Sequence, residues 1–440
     1  MRTRSMPALL GTIALVGATY GVRAMTEDEP IPTEPITVGS EPQPRPDFLP
    51  EITRLISLFE DRIAVRDDPL DYRVLGRHYL ELGAATSDPD AYRDAAMTLS
   101  RSLELAPGQP DALVDLSVAR MGIHDFAGAL ESIAGALSAR PGDLRAQLIL
   151  GDVLFALGRY GEAATQFDIV DAGTDADPGV LIRKAELAWH TGDNDGAIAL
   201  SGDAVEAAIA AQVDRRSLAF YKTEHGHHLA NNGRIEEAIH ALEDAVATDL
   251  SWAAPRAELA RAYHLHGLDE SALENIVIAL DMKPDIGWQT LLVDILVVQG
   301  DDAAAASAQD TLARLVEDAK REGAVYARPV ALYLAEYGDA VTAVTIAKTE
   351  VETRADVYGR DLLAWALHQA GRTTEAWPVI EQALATGTLD PTILYHAGVI
   401  AEAAGNLAQG RDYLSRALEI NPYFDPIDAE DARTRLQAPA

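Results

Sequence analysis

Apolar positions recur along the chain with a helical beat. In LILGDVLFALGRYGEAATQF, Leu148 to Phe167, residues Leu150, Gly151 and Leu154 share one face of a helix that Gly158 stops. Tyr160, Ala163 and Phe167 then share one face of a second helix. Gly158 is followed at the same point of the pattern by Gly192, Gly233, Gly267, Gly300, Gly338, Gly371 and Gly405, in steps of 34, 41, 34, 33, 38, 33 and 34 residues. Upstream, His124 takes the place of the glycine, and Gly83 holds it once more before that. A step near 34 is the period of a helix–turn–helix unit whose apolar faces can only be buried by neighbouring copies.

In AELARAYHLHGLDESALENIVIALDMKP, Leu259, Ala260 and Tyr263 line the first helix and Gly267 ends it. Ala272 stands where the two helices cross, Ile276 and Ala279 continue the inner face, and Pro284 closes the unit. These positions resemble the tetratricopeptide repeat. The best copies are Leu150/Gly151/Gly158/Tyr160/Ala163/Phe167, Leu259/Tyr263/Gly267/Ala272/Ala279/Pro284 and Gly398/Gly405/Ala417/Pro422. Leu75/Gly76/Tyr79/Gly83 with Ala95/Leu99/Pro107 is another, once an insertion around Thr86–Ala91 is set aside. His225, Gln309 and Gly410 depart from the pattern. The resemblance implies an all-α fold: a right-handed α-solenoid of about ten hairpins over residues 70–426.

Ile52, Leu55, Ile56, Phe59 and Ile63 form a helical stripe in residues 47–69, the expected leading half-repeat. Residues 427–440, with DAEDARTRL, are the expected polar capping helix and tail. Residues 1–24 have the order of an export signal: Arg2 and Arg4, an uncharged apolar run from Pro7 to Val22, then Val22-Arg23-Ala24 before Met25. The alternative is an uncleaved N-terminal anchor in the inner membrane, with the array outside the cytoplasm. Residues 25–46 are too rich in proline and acid to bury a core and read as a disordered spacer. The expected location is therefore periplasmic or secreted.

The 440 residues carry 36 basic and 69 acidic side chains, a formal charge of −33. Such a surface repels nucleic-acid phosphates and anionic lipid headgroups. Its Arg-over-Lys, Asp-over-Glu bias fits either GC-rich coding or adaptation to high salt. There is no cysteine, which excludes disulfides and thiolate chemistry.

No phosphate-binding glycine loop, nucleophile elbow or HExxH stretch occurs. Asp67-Asp68 and Asp301-Asp302 lie between helices, where acids act as caps. His225-Gly-His227-His228, with His264 and His266 one repeat later, could form a metal site; the competing reading is that His225 faces the core and the others are surface histidines. In arrays of the resembled kind the first helix of each hairpin lines a concave groove for a peptide or protein segment. Counting back from each glycine puts Arg77, Asp152, Phe155, Glu186, Trp189, His190, His227, Arg261, His264, Asp294, Trp365, His368 and Tyr395 at or near that lining. Trp189, Phe155, Trp365 and Tyr395 either anchor a ligand or pack against the next hairpin. The Lys/Arg/Asn clamp with which some of these repeats hold a carboxylate terminus is absent, since Arg77 and Arg261 stand several repeats apart. The expected function is a non-catalytic scaffold or assembly factor for a protein or peptide partner, with no cofactor. The alternative is an accessory subunit holding a metal or glycan in a histidine-containing groove.

Overall fold

In a computed structural model the described residues are 48–86, 88–174, 176–322 and 327–438. The export-signal or anchor reading of residues 1–24 and the spacer reading of residues 25–46 lie outside them. The described residues contain twenty-two α-helices and no strand. They divide into two compact units, one ending at Asp143 and one beginning at Leu144.

The first unit holds α1 (Phe48–Val65) and two hairpins, α2 (Pro69–Thr86) with α3 (Pro89–Leu105) and α4 (Pro110–Gly122) with α5 (Phe126–Ala139). Ile52 and Ile56 of α1 pack on Leu75 of α2, with Phe59, Ile63, Tyr79 and Leu82 around them. Gly76 is glycine because a Cβ there would come within 2.6 Å of Leu99 Cγ, and Leu99 is fully buried. His124 stands in the glycine place with the glycine conformation, φ +60°, which strains a residue that has a Cβ.

The second unit holds eight hairpins and a final helix. In order they are α6 (Leu144–Ala156) with α7 (Tyr160–Gly173), α8 (Pro178–His190) with α9 (Asn194–Ala210), and α10 (Arg215–Asn231) with α11 (Ile235–Thr248). There follow α12 (Ala253–Leu265) with α13 (Asp269–Met282), α14 (Ile286–Gln299) with α15 (Asp302–Glu322), and α16 (Ala327–Tyr337) with α17 (Ala340–Thr353). Last come α18 (Val357–Gln369) with α19 (Thr373–Leu384), α20 (Pro391–Ala403) with α21 (Leu407–Ile420), and α22 (Pro426–Gln437). Ala163 and Ala272 are fully buried at helix crossings, and Ala272, Ile276 and Ala279 share a core cluster with Trp288 and Ile295. Ten hairpins and two flanking helices match the solenoid expected from the pattern.

Aspartate starts many of these helices. Asp88, Asp125, Asp177, Asp193, Asp214, Asp285, Asp339, Asp356, Asp390 and Asp425 each accept a hydrogen bond from a first-turn backbone N–H. Each satisfies an otherwise orphaned donor and places negative charge at the positive end of a helix dipole. Part of the chain's excess of aspartate is thus architectural.

The second unit closes on itself along a seam. Three successive turns inside hairpins, at Gly158, Gly192 and Gly233, receive three successive later loops, two between hairpins and one between α21 and α22. A Cβ on Gly158 would lie 2.7 Å from the Ala355 carbonyl oxygen, one on Gly233 3.2 Å from that of Ile420, and one on Gly192 would overlap that of Gly387. The Val357 N–H donates to Tyr160 Oη at 3.0 Å, and Asn421 Nδ2 donates to the carbonyls of Ala230 at 2.9 Å and Asn231 at 3.2 Å. Trp189 Nε1 donates to Tyr358 Oη at 2.9 Å, and that hydroxyl donates to Asp390 at 3.0 Å.

Candidate functional site

The inner positions of α8, α10 and α12 form a buried polar constellation in the second unit. Each helix is fixed locally. Asp177 caps α8 with Pro178 in its first turn, and Asp214 caps α10. Gly226 lets α10 approach α11, because a Cβ would sit 2.5 Å from Leu242 Cγ.

On α8, His190 Nδ1 donates to the Glu186 carbonyl at 2.8 Å, one turn back. Glu186 Oε1 lies 3.4 Å from His228 Nε2 on α10, an ion-pair approach longer than a well-made hydrogen bond. Burial works to raise the Glu186 carboxyl, but His228, His190 and His227 overcome it and hold it below the usual carboxylate range. Glu224 faces the opposite balance: burial, with Glu186 and Glu258 nearby, pushes it well above the usual carboxylate range. Of the two carboxyls, Glu224 is the one that keeps its proton. On α12, Glu258 accepts from His227 Nδ1 at 3.0 Å and from Arg261 Nε at 3.2 Å. Burial opposes its charge, and Arg261 and His227 prevail, holding it at about 2. Asn231 Nδ2 lies 2.7 Å from His227 Nε2 and ties the ring to its own helix. His227 and Arg261 keep 13% and 15% of their side chains in solvent and form the accessible rim of the constellation.

The aromatic candidates are packed against the chain itself. Trp189 is 2% exposed and bonded to Tyr358 across the seam. Phe155 meets His190 edge-on at 4.6 Å, and His190 meets Tyr358 edge-on at 5.1 Å. Trp365 is 1% exposed, donates to Glu336 and stacks on His396 at 4.1 Å and on His368 at 5.5 Å. Tyr395 is fully buried and donates to Asp431 at 2.9 Å. In each case packing consumes the ring that the groove reading would leave to a ligand.

The charged candidates divide. Asp152 is locked in a buried two-pronged pair with Arg183, at 2.6 and 2.9 Å. His264 is buried and bonded to Asp269 at 2.7 Å. Asp294 is fully buried, and burial together with Asp425 and Glu336 raises its carboxyl well above the usual range. His368 Nδ1 contacts Thr373 Oγ1 at 3.2 Å. Arg77 belongs to the first unit, 40% exposed and 4.0 Å from Asp115. The fold therefore gathers Phe155, Glu186, Trp189 and His190 into one packed cluster, joins His227 to Arg261 through Glu258, and sets the rest apart. His225 contacts Ser201 Oγ at 3.0 Å, between α9 and α10, as a core-facing residue would. Among the described residues no three His, Asp or Glu side chains are grouped to hold a metal ion.

Arg183, Glu224 and Glu258, central to this network, escaped the reading from sequence. Each stands nine residues before its glycine, one helical turn beyond the positions that were counted. Tyr358 carried no signal, because its partner Trp189 lies 169 residues away; Asp390 and His396 bond to Tyr358 and Asp361 of the preceding repeat, off the counted positions.

The tetratricopeptide-repeat family pattern matches residues 114–179 and 362–423. No curated protein matches the chain in sequence. Solved structures of similar fold include yeast Tom70, at 12% identity and a TM-score of 0.37, covering 88% of this chain and 92% of that one. The human IFIT1 dimer with PPP-AAAA is similar at 15% identity and a TM-score of 0.42, over 84% and 78% of the two chains. PilF of Pseudomonas aeruginosa is similar at 15% identity and a TM-score of 0.40, over 52% and 97%. The repeating spacing, the ten hairpins built on it and the two matched regions together make this chain a tetratricopeptide-repeat protein.

Proposed function

We propose that the chain is a non-catalytic scaffold, exported from the cytoplasm, that holds a segment of a partner protein at the rim formed by α10 and α12. One observation carries the reading: on a hairpin frame that repeats, His227, Asn231 and Arg261 form a polar, half-buried rim held from beneath by Glu258. An arginine oriented by a buried carboxylate keeps further donors for a peptide carbonyl or carboxylate. Trp189, Trp365 and Tyr395 are taken up by packing within the frame and do not meet the partner. The surrounding negative charge favours a neutral or basic segment.

The test is affinity capture from cell envelope with the full chain as bait, against the Arg261→Glu variant. Reversing that charge should weaken capture of the partner by about 1–2 kcal/mol while the helical CD signal is unchanged. Equal capture by both baits would move the binding surface elsewhere. Intact-mass analysis of the envelope-associated protein should show a start near Met25; a full-length cytosolic product would defeat the export reading.

A further inference from the structure

Beside the rim lies a polar group that the fold itself does not complete. Glu186 on α8 and His228 on α10 are 4% and 0% exposed, yet Glu186 Oε1 and both ring nitrogens of His228 make no hydrogen bond. Their closest approach, 3.4 Å, falls short of one. Buried polar atoms are nearly always partnered, because an unmade bond costs the whole desolvation of the group. Neighbouring acids on the inner helices obey that rule. Asp152 gives both oxygens to Arg183, and Glu258 accepts from His227 and Arg261.

Glu224 completes the group. On α10, Glu224, His227, His228 and Asn231 fall at i, i+3, i+4 and i+7, one face of the helix, so the same stripe carries the rim and this acid. Glu224 is 7% exposed, more than Glu186, Glu258 or His228, and is the carboxyl that a side chain entering past the rim meets first. The charges that act on Glu186 are those of His228, His190 and His227; those that act on Glu224 are the carboxyls of Glu186 and Glu258. The group is rich in acceptors and short of a donor with a full charge.

We propose that Glu186 and Glu224 receive the ammonium of a lysine side chain carried by the partner segment. The inference rests on the rim reading above and names what the segment must bring. Lysine suits the place better than arginine. Its slender stem ends in a compact charge with three donors, which two carboxyls can share, whereas a guanidinium wants the two-pronged edge that Asp152 offers Arg183. Burial and its two acidic neighbours keep the proton on Glu224, and that proton leaves to solvent as the ammonium arrives. One positive charge enters and one departs. The other titratable groups facing the pair are His190 on α8, His227 and His228 on α10, Glu258 and Arg261 on α12, and Tyr358 across the seam.

Titration calorimetry of the full chain with a capped Ala-Lys-Ala-Ala peptide, at neutral pH in two buffers of different ionisation enthalpy, tests the site. The lysine peptide should bind with release of a proton. Its twin with an acetylated lysine should bind about tenfold more weakly, the worth of a charge-assisted hydrogen bond, and release nothing. Glu224→Gln keeps the shape and neutrality of the protonated carboxyl, so its melting temperature at neutral pH should not fall. That variant should bind the two peptides alike and without proton release. Equal binding of both peptides by the wild type would overturn the proposal. So would binding of neither, or a lysine preference that survives in Glu224→Gln. The acetylated peptide reads the rim alone: if Arg261→Glu left its binding unchanged, the rim reading would fail, whatever the lysine peptide does.

Discussion

Gly192 and Gly267 hold the same place in the repeat and the same backbone, with φ of +87° and +77°, yet they serve different ends. At Gly267 the requirement is conformational, since the helix must stop in a left-handed residue. At Gly192 it is also spatial, because the Gly387 carbonyl occupies the place a side chain would need. One mark in the sequence thus covers a turn that only ends a helix and a turn that also accepts a distant loop. The second kind changes the physics of the array. A solenoid of nearest neighbours has a stability that is a sum of local terms, whereas a seam couples hairpins that are far apart in sequence.

The comparison breaks most sharply at Trp189. Trp189→Ala should cost about 3–5 kcal/mol, because it empties a buried site and removes the donor to Tyr358. Leu407→Ala, beside an open turn and 51% exposed, should stay within about 0.5 kcal/mol. Equal shifts in thermal midpoint would mean that the seam is not closed in solution. Next in size is the glycine pair itself. Gly267→Ala bears only left-handed strain, about 1–2 kcal/mol. Gly192→Ala adds overpacking against a backbone carbonyl, about 1–3 kcal/mol more. Equal losses would dissolve the distinction.

Acid and base should act on opposite sides of the unit. Burial lowers the His190 imidazole below its ordinary 6.5, so the folded state disfavours its proton. Its contribution to stability is present above pH 6.5 and is lost as pH falls through the range below it. Asp294 has the reverse sign: burial, Asp425 and Glu336 raise its carboxyl, so stability is present in acid and lost as pH rises through the folded value. Melting curves across pH should show His190→Leu flattening the acid limb and Asp294→Asn raising stability at neutral pH. An acid limb unchanged in His190→Leu would detach that residue from the seam's pH response. The smallest effect belongs to the first unit. His124→Gly should raise its stability by up to about 1 kcal/mol, since relief of left-handed strain outweighs the added freedom of the unfolded chain. No gain in thermal midpoint would mean the histidine is not strained there.

Whatever repeats was legible in the sequence. Gly76, Ala163, Ala272 and Gly398 answer to contacts within one hairpin, and those contacts recur every 34 residues or so, which is why ten copies stand out in the sequence. The concave lining was legible as a set of positions but not as a surface. Trp189, Trp365 and Tyr395 lie on the inner helices, yet their accessibility is decided by residues that no local period predicts. Tyr358 and Asn421 reach their partners from 169 and 191 residues away. The rim at His227 and Arg261 was found because both stand at the counted offsets; the Glu258 that orients them stands one turn further back.

The seam also orders events in time. Hairpin contacts form from residues a few dozen apart and close quickly, whereas Tyr160 must wait for Val357, 197 residues later in the chain. A chain that emerges from its N-terminus therefore completes the hairpins of Gly158, Gly192 and Gly233 well before the loops that dock on them arrive. During that interval Phe155, Trp189 and His190 lack the cover they finally receive. This aromatic part of the inner face is thus open only to what meets the protein before folding is complete, and the finished fold withdraws it.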